Sequence, residues 1–332
     1  MTASTRRRLL AAGTLAPLAA AIAGLGTARA ADAFPNKPIR IVVPFAPGNT
    51  FDVALRSVSD ELVRNGGQPL VIDNKPGASG IIAAQTVATA PPDGYTVLLA
   101  SLSHLAVNPH TFSRLPYDPE KSFRPITNLL AATLVMAIPA SVPAQTLPEF
   151  IAWARGNAGK VSFASFSAGN SSHFAGVILN KLAGLDMVHV PYNGTPPAVQ
   201  SLLAGQTQLA FVPLPAVKQH ADAGKLRILA TTGGQPPALM PGLPTMRALG
   251  YPDLEIYLWG ALLLPAGASD DVVRTLNRQF VAALQSRAVR EKFASMDFEP
   301  VPGTPEEFSA YLRRESQRWG EAVRLSGFKA SE

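Results

Sequence analysis

The sequence predicts an α/β protein of two domains, each a mainly parallel sheet flanked by helices. Three observations predict it. Short β-branched runs alternate with amphipathic stretches, the pattern of parallel strands covered on both faces by helices. The alternation occurs in two separate blocks along the 332 residues, with no solenoid-length repeat. A composition of 47% apolar and 16% charged residues supports a sizeable core and excludes a disordered or acidic chain.

Residues 1–30 stand apart as a cleaved export signal. Arg6, Arg7 and Arg8 form a positive head, and Leu9–Leu25 is uncharged and rich in Ala, Leu and Gly. Ala28-Arg29-Ala30 fits a small-x-small cleavage site before Ala31. Paired arginines ahead of Leu9-Leu10 are twin-arginine-like. A membrane anchor is the weaker reading, because the stretch is near the lower length limit and contains Pro17. No later run approaches a membrane span, so the expected mature chain is not membrane-embedded, and a twin-arginine-like signal on a cysteine-free chain points to the periplasm.

That segment also changes the charge balance. The chain has 29 Lys+Arg against 23 Asp+Glu, a net +6. Four arginines and no acid lie in the first thirty residues, so the rest carries 25 basic and 23 acidic residues, a net +2. The footprint of a nucleic-acid partner disappears. Thirty prolines, about 9% of the chain against about 5% in average usage, imply many rigid turns. The absence of Cys excludes disulfides, thiolate metal sites and Cys nucleophiles.

The elements follow in order. Ile39–Phe45 reads as a buried strand. Pro47–Thr50 is a turn, and Asp52 opens a helix whose apolar face is Val53, Leu55, Val58, Leu62 and Val63. Leu70–Ile72 is a strand, Asn74–Gly80 a loop and Ile81–Ala90 a helix. Pro91-Pro92-Asp93-Gly94 is a turn, and Tyr95–Ala100 is a third strand. The second block repeats this grammar. Val161–Ala164 is a strand, Ser165–Ser172 a small-residue loop and His173–Leu182 a helix. Val188–Val190 is a strand, Tyr192-Asn193-Gly194 a loop and Pro197–Leu203 a helix. Leu209–Val212 and Leu226–Ala230 are strands, and Leu254–Leu264 is a returning strand. Asp270–Ser286 and Pro305–Leu325 are amphipathic helices, expected to pack on the first domain.

Three loops are chemically notable: Pro47–Phe51, Pro76–Gly80 and Ser165–Ser172. Each leaves a strand and enters a helix, where free backbone N–H groups and the helix dipole favour an anion. From pattern alone, ordinary tight βα turns explain them equally well. Catalytic signals are poor. Gly77-Ala78-Ser79-Gly80 begins like a nucleophile elbow, but Ile81 stands where glycine is required. Ser172 and His173 are sequence neighbours, which does not aim the imidazole at that hydroxyl. His104, His110, His173, His189 and His220 form no metal-ligand spacing. No glycine-rich nucleotide-binding motif is present. Arg313, Arg314, Arg318 and Arg324 alternate with Glu315 and Glu321, as on a solvated helix face.

Several segments together resemble a known family. They are Phe34–Arg40 with Val43–Gly48 and Asp52; Asp73–Ala78; Pro91–Thr96; Leu115–Pro119 with Phe123–Ile126; His189–Tyr192 with Gly194; and Pro244-Thr245 before Gly250. In order and spacing the chain resembles the extracytoplasmic solute-binding receptors of tripartite tricarboxylate transporters, the Bug or TctC-like receptors, from about Phe34 to its end. The resemblance implies a Venus-flytrap fold of type 2-like topology with two hinge strands. Domain 1 would comprise residues 31–130 and 258–332, and domain 2 residues 131–257, with the crossings near Ile126–Pro139 and Leu254–Leu264. It implies a small carboxylate held between the domains by Gly48, Asn49, Thr50, Phe51 and Asp52, by Ala78 and Ser79, and by Ser101. On the other wall it implies Ser165, Phe166, Ser167, Gly169, Asn170, Ser171 and His173, with Tyr192, Asn193 and Gly194. Asp52 would cap its helix and orient the loop, because as a direct ligand it would repel an anion. A membrane permease is the implied partner; no cofactor, metal or catalysis is implied, and a monomer is expected. A ligand-dependent receptor for a membrane sensor is the alternative, and a serine hydrolase acting through Ser79 or Ser172 a remote one.

Three departures from the family pattern bear on specificity. Asn49 replaces the second glycine of the first loop, where Asn tolerates left-handed backbone. Phe51 and Phe166 are bulkier than usual. Ser167 replaces a glycine and narrows the backbone allowed there. The two rings suggest a ligand with an aromatic or apolar body and a carboxylate end, unless both simply pack into the core.

Overall fold

The computed structural model describes residues 34–329; the export signal and its cleavage site lie outside them. The chain begins with β1 (Ile39–Val43), α1 (Thr50–Arg64), β2 (Leu70–Asn74), α2 (Ile81–Ala88) and β3 (Thr96–Ser101). A π-helical turn, Ser103–Val107, then runs into α3 (Asn108–Thr111). Next come β4 (Phe123–Thr133), β5 (Val135–Pro139), α4 (Leu147–Gly156), β6 (Ser162–Ser165) and α5 (Ser171–Ala183). They are followed by β7 (Val188–Pro191), α6 (Thr195–Leu203), β8 (Leu209–Val212), α7 (Leu214–Asp222) and β9 (Leu226–Thr231). The chain closes with β10 (Tyr257–Pro265), α8 (Asp270–Gln285), α9 (Arg287–Ala294), β11 (Phe298–Pro300) and α10 (Pro305–Ser326).

These strands form two sheets, ordered β11-β4-β10-β3-β1-β2 and β7-β6-β8-β5-β9. Each has a parallel core of three strands. In the first, β1 pairs in parallel with β2 and β3, setting Ile41 opposite Ile72 and Val97. In the second, β6 lies between β7 and β8. The antiparallel pairings belong to strands that cross between sheets or return, notably β4 with β10 and β5 with β9. Their direction follows from the route: a chain leaving one sheet and coming back must run both ways.

Sequence accounts for the core elements directly. In β1, Ile39, Ile41, Val42 and Val43 are all buried. In α1, Ala54, Leu55, Val58 and Leu62 form a buried stripe at helical spacing. At α10, Thr304 and Glu307 satisfy each other's backbone N–H in a capping box. The C-terminal helix α8 packs on β4 and α1. The longer α10 packs on β4 and the π turn but also reaches α5 of the second sheet. There Trp319 meets Phe174 edge-on at 5.5 Å. One apolar cluster therefore runs from Val42 and Leu98 through Trp319 to Phe163 and Phe174, tying the two lobes along one side.

Thr232 pins the two crossings together. Its hydroxyl accepts from Leu134 N–H at 2.9 Å and donates to the Ile256 carbonyl at 2.6 Å. Its backbone N–H donates to Leu134 O, and its carbonyl accepts from Ile256 N–H. Leu134, Thr232 and Ile256 are all fully buried. Among the described residues no helix is long and apolar enough to cross a membrane.

Candidate functional site

A cavity of about 640 Å³ lies between the sheets. Its walls are the loops that leave the carboxyl ends of the parallel strands, where α/β sheets place their ligands. From the first sheet come Pro44–Phe51 after β1, Gly77–Gly80 after β2 and Ser101–Phe112 after β3. From the second come Phe166–Asn170 after β6, Tyr192–Pro196 after β7 and Pro213 after β8. Leu258 of β10 and Phe328, just beyond α10, complete it.

The first loop is built by Asn49. Its side-chain oxygen accepts from the N–H groups of Phe51 and Asp52 at 2.8 and 3.2 Å, making it the N-cap of α1. Its backbone is extended (φ −72°, ψ 170°), so the substitution needs no left-handed tolerance; Gly48, at φ +78°, takes that turn. The cap expected of Asp52 thus belongs to Asn49. Asp52 sits three residues later and reaches back, its carboxylate accepting from Gly48 N–H at 3.1 Å. It orients the loop from behind the cavity, and Arg56 neutralises it at 3.3 Å. Phe51 is buried, stacks on Phe45 at 5.3 Å and lies against Gly260, where a Cβ would come within 2.4 Å of the ring. It is mainly a core residue, as the plainer expectation held, and still lines the cavity.

The second loop carries four consecutive positive φ angles, from Gly77 through Ala78 and Ser79 to Gly80. Left-handed Ala and Ser are costly, and the loop is held from outside. Asn108 donates its side-chain amide to the Ser79 carbonyl at 3.0 Å. A Cβ on Gly80 would stand 2.0 Å from His104 Nε2. The histidine can approach this closely only because glycine is there.

His104 in turn organises the exit of β3. Its Nδ1 accepts from Ser101 N–H at 3.0 Å and lies 2.9 Å from Ser101 Oγ. Burial lowers its pKa to about 4. The imidazole is therefore neutral at pH 7, a fixed acceptor and too weak a base to activate the serine efficiently. Tyr117 donates to the His104 carbonyl at 2.7 Å, and burial raises the phenol to about 12.

On the second wall, Asn170 caps α5 by accepting from His173 N–H at 3.1 Å. His173 Nδ1 accepts from Gly169 N–H at 3.2 Å, so that amide is engaged within the protein. The ring stacks on His189 at 3.8 Å. Burial, then the neighbouring His189, lower His173 to about 3; burial lowers His189 to about 4. Ser165 lies 2.7 Å from His189 Nε2 and donates to the Ser167 carbonyl at 3.0 Å. A hydroxyl has one proton, so the imidazole must be the donor to Ser165. Gly169 takes the left-handed turn at φ +71°, while Ser167 does not adopt positive φ; the expected narrowing at Ser167 has no consequence. Tyr192 and Gly194 donate their N–H groups to the carbonyls of Ser165 and Phe166 at 2.9 Å.

Of the residues expected from sequence, Gly48, Asn49, Phe51, Ser79, Ser101, Phe166, Ser167, Gly169, Asn170, Tyr192, Asn193 and Gly194 line the cavity. Thr50 is the first residue of α1. Asp52, Ser165, Ser171 and His173 are buried behind the loops, and Ala78, within the second loop, is exposed and does not line the cavity. The hydroxyls of Ser171 and Ser172 are buried without a partner, so no imidazole activates Ser172. Sequence reasoning missed Phe45, Ser103, His104, Asn108, Phe112 and Phe328. Ser103, His104, Asn108 and Phe112 follow β3, so the strand-end rule could have found them; nothing in the sequence signalled Phe328.

Among the described residues, no Lys, Arg, Asp or Glu lines this cavity. Its polarity comes from hydroxyls, amides and backbone, with the starts of α1, α2, α5 and α6 around it. Aligned helix N-termini give a positive potential without a side-chain charge.

Two lobes with the cavity between them define a ligand-binding protein of the periplasmic-binding-protein class. The model of the tripartite tricarboxylate transporter family receptor, TctC, matches residues 54–328, and the chain belongs to that family. It is 34% identical to protein BugT of Bordetella pertussis over 310 residues, 93% of this chain and 95% of BugT. Its structure is similar to that of R. palustris Rpa4515 with adipate (29% identity, TM-score 0.81, 89% of this chain and 99% of that one). It is also similar to MatC from Rhodopseudomonas palustris with bound malate (28% identity, TM-score 0.76, 87% of this chain and 100% of that one).

Proposed function

We propose that this chain is an exported, monomeric, non-enzymatic receptor that captures a small carboxylate between its lobes and delivers it to a tripartite tricarboxylate-type permease. The observation that carries the reading is the uncharged cavity ringed by helix starts, together with relatives holding adipate and malate. The amides of Gly48, Phe51, Asp52 and Gly169 are already engaged. The carboxylate is therefore met by the amides of Asn49 and Thr50, by those of Ala78 and Ser79, and by the start of α5. Ser101, Ser167, Asn170 and the Tyr192–Gly194 turn complete the contacts. Ser165 and His173 act through the loop they brace.

Domain 1 comprises residues 31–130 and 258–332, and domain 2 residues 131–257, with cleavage of the signal between Ala30 and Ala31. Residues of both walls touch the ligand only when the lobes are closed, so binding favours closure, and the closed form is what the permease receives. Calorimetric titration of the mature protein with a panel of carboxylic acids tests this. Saturable binding of an acid, lost when its carboxylate is amidated, is expected. Equal affinity for acid and amide refutes it.

A further inference from the structure

On the carboxylate reading, the rest of the cavity narrows the ligand's body. Phe45, Phe112, Phe166, Tyr192 and Phe328 all line it and all are only half-buried, while Phe51 backs Phe45. Five incompletely covered rings around one cavity are an apolar surface awaiting a partner.

Phe328 is the least expected of them. Gly327 ends α10 in a left-handed turn, φ +66°, and Ser326 Oγ accepts from Phe328 N–H at 3.0 Å. The turn carries the ring off a helix packed on the first sheet and onto the wall of the second. It lies edge-on to His173 at 5.0 Å and to Phe174 at 6.0 Å. A Cβ on Gly169 would come within 3.2 Å of it. Phe328 thus closes over the loop that precedes α5.

A dicarboxylate has two ionised ends. With one end at the helix starts, a body lying along the rings would carry the other end into apolar surface, where it loses hydration and, among the described residues, no cationic side chain lines the cavity to receive it. An aromatic body gains there instead, by stacking and by covering apolar surface.

The geometry points to an aromatic monocarboxylic acid as the ligand of this chain, with Phe328 the ring that covers its body. Calorimetry with 3-phenylpropionate, adipate and 3-phenylpropionamide tests it. The aromatic acid is expected to bind at least about tenfold more tightly than either other probe. Phe328→Ala should weaken it by about tenfold, Phe328→Leu by less, and adipate by less than about threefold. A circular-dichroism melt of each variant separates misfolding from lost contact, and Phe112→Ala supplies an independent loss on the opposite wall. Adipate binding more tightly than 3-phenylpropionate overturns the aromatic class and leaves the carboxylate reading standing. Amide binding as tightly as acid overturns the carboxylate reading, and a panel in which nothing binds overturns both. Equal affinities of wild type and Phe328→Ala overturn the role of Phe328.

Discussion

Replacing Gly80 with Ala tests whether the left-handed loop and His104 are one unit. The backbone is at φ +79°, and the added Cβ would stand 2.0 Å from Nε2 and 2.1 Å from Cδ2 of His104, with Pro44 Cβ 3.1 Å away. Left-handed backbone costs Ala about 1 kcal/mol. The ring is buried and must also move, breaking its contacts with the N–H and hydroxyl of Ser101, at about 1 kcal/mol each. The total is about 3 kcal/mol, or about 6 °C in midpoint for a chain of this size. Gly184→Ala is the matched control. It shares a positive φ, +61°, but its Cβ meets nothing within 4 Å, so it should cost only about 1 kcal/mol. Thermal unfolding followed by circular dichroism compares them, with ligand affinity measured alongside. Midpoints of the two variants within about 2 °C of each other, a difference of under about 1 kcal/mol, would refute the coupling.

The remaining predictions concern the frame around the cavity. Thr232→Val keeps the shape but leaves Leu134 N–H and Ile256 O without their hydroxyl partner; urea unfolding should show a loss of about 2 kcal/mol. Glu315 accepts from the indole N–H groups of Trp259 and Trp319 at 3.1 and 3.0 Å. Glu315→Ala should therefore destabilise by about 2–3 kcal/mol in the same assay, and Glu315→Gln by clearly less. His104, His173 and His189 all have folded pKa values below the usual 6.5. The unfolded chain then binds protons that the native one does not. Their stabilisation is complete above about pH 6.5 and is lost as the pH falls toward 4. The buried pair His104 and His173 contributes about 1–2 kcal/mol each to the loss between pH 7 and 5. Urea midpoints across that range check it, and a His173→Phe variant should flatten the slope.

The fold was largely legible because its strands are short β-branched runs bounded by Gly and Pro. Ile39–Phe45 could hardly be anything else, and the βα rhythm around it forces a parallel arrangement. The crossings were harder. Phe123–Thr133 and Val135–Pro139 are consecutive strands of different sheets, and only the resemblance, not periodicity, placed a crossing there. At the site, the loops after β1, β2 and β6 announced themselves through small residues. Their bracing did not. That Asn49 rather than Asp52 caps α1, and that His173 occupies the Gly169 amide, depends on side-chain direction at ångström scale. Phe328 lies some 160 residues from the loop it covers, and no local pattern links them.

The most direct test of the central claim is a crystal structure of the mature protein with a tightly binding carboxylic acid. The account predicts both carboxylate oxygens between the lobes, accepting from amides at Asn49–Thr50, Ala78–Ser79 and the start of α5, with the body of the acid against Phe328. A ligand seated outside this cavity, or turned so that its carboxylate faces the rings, would contradict it.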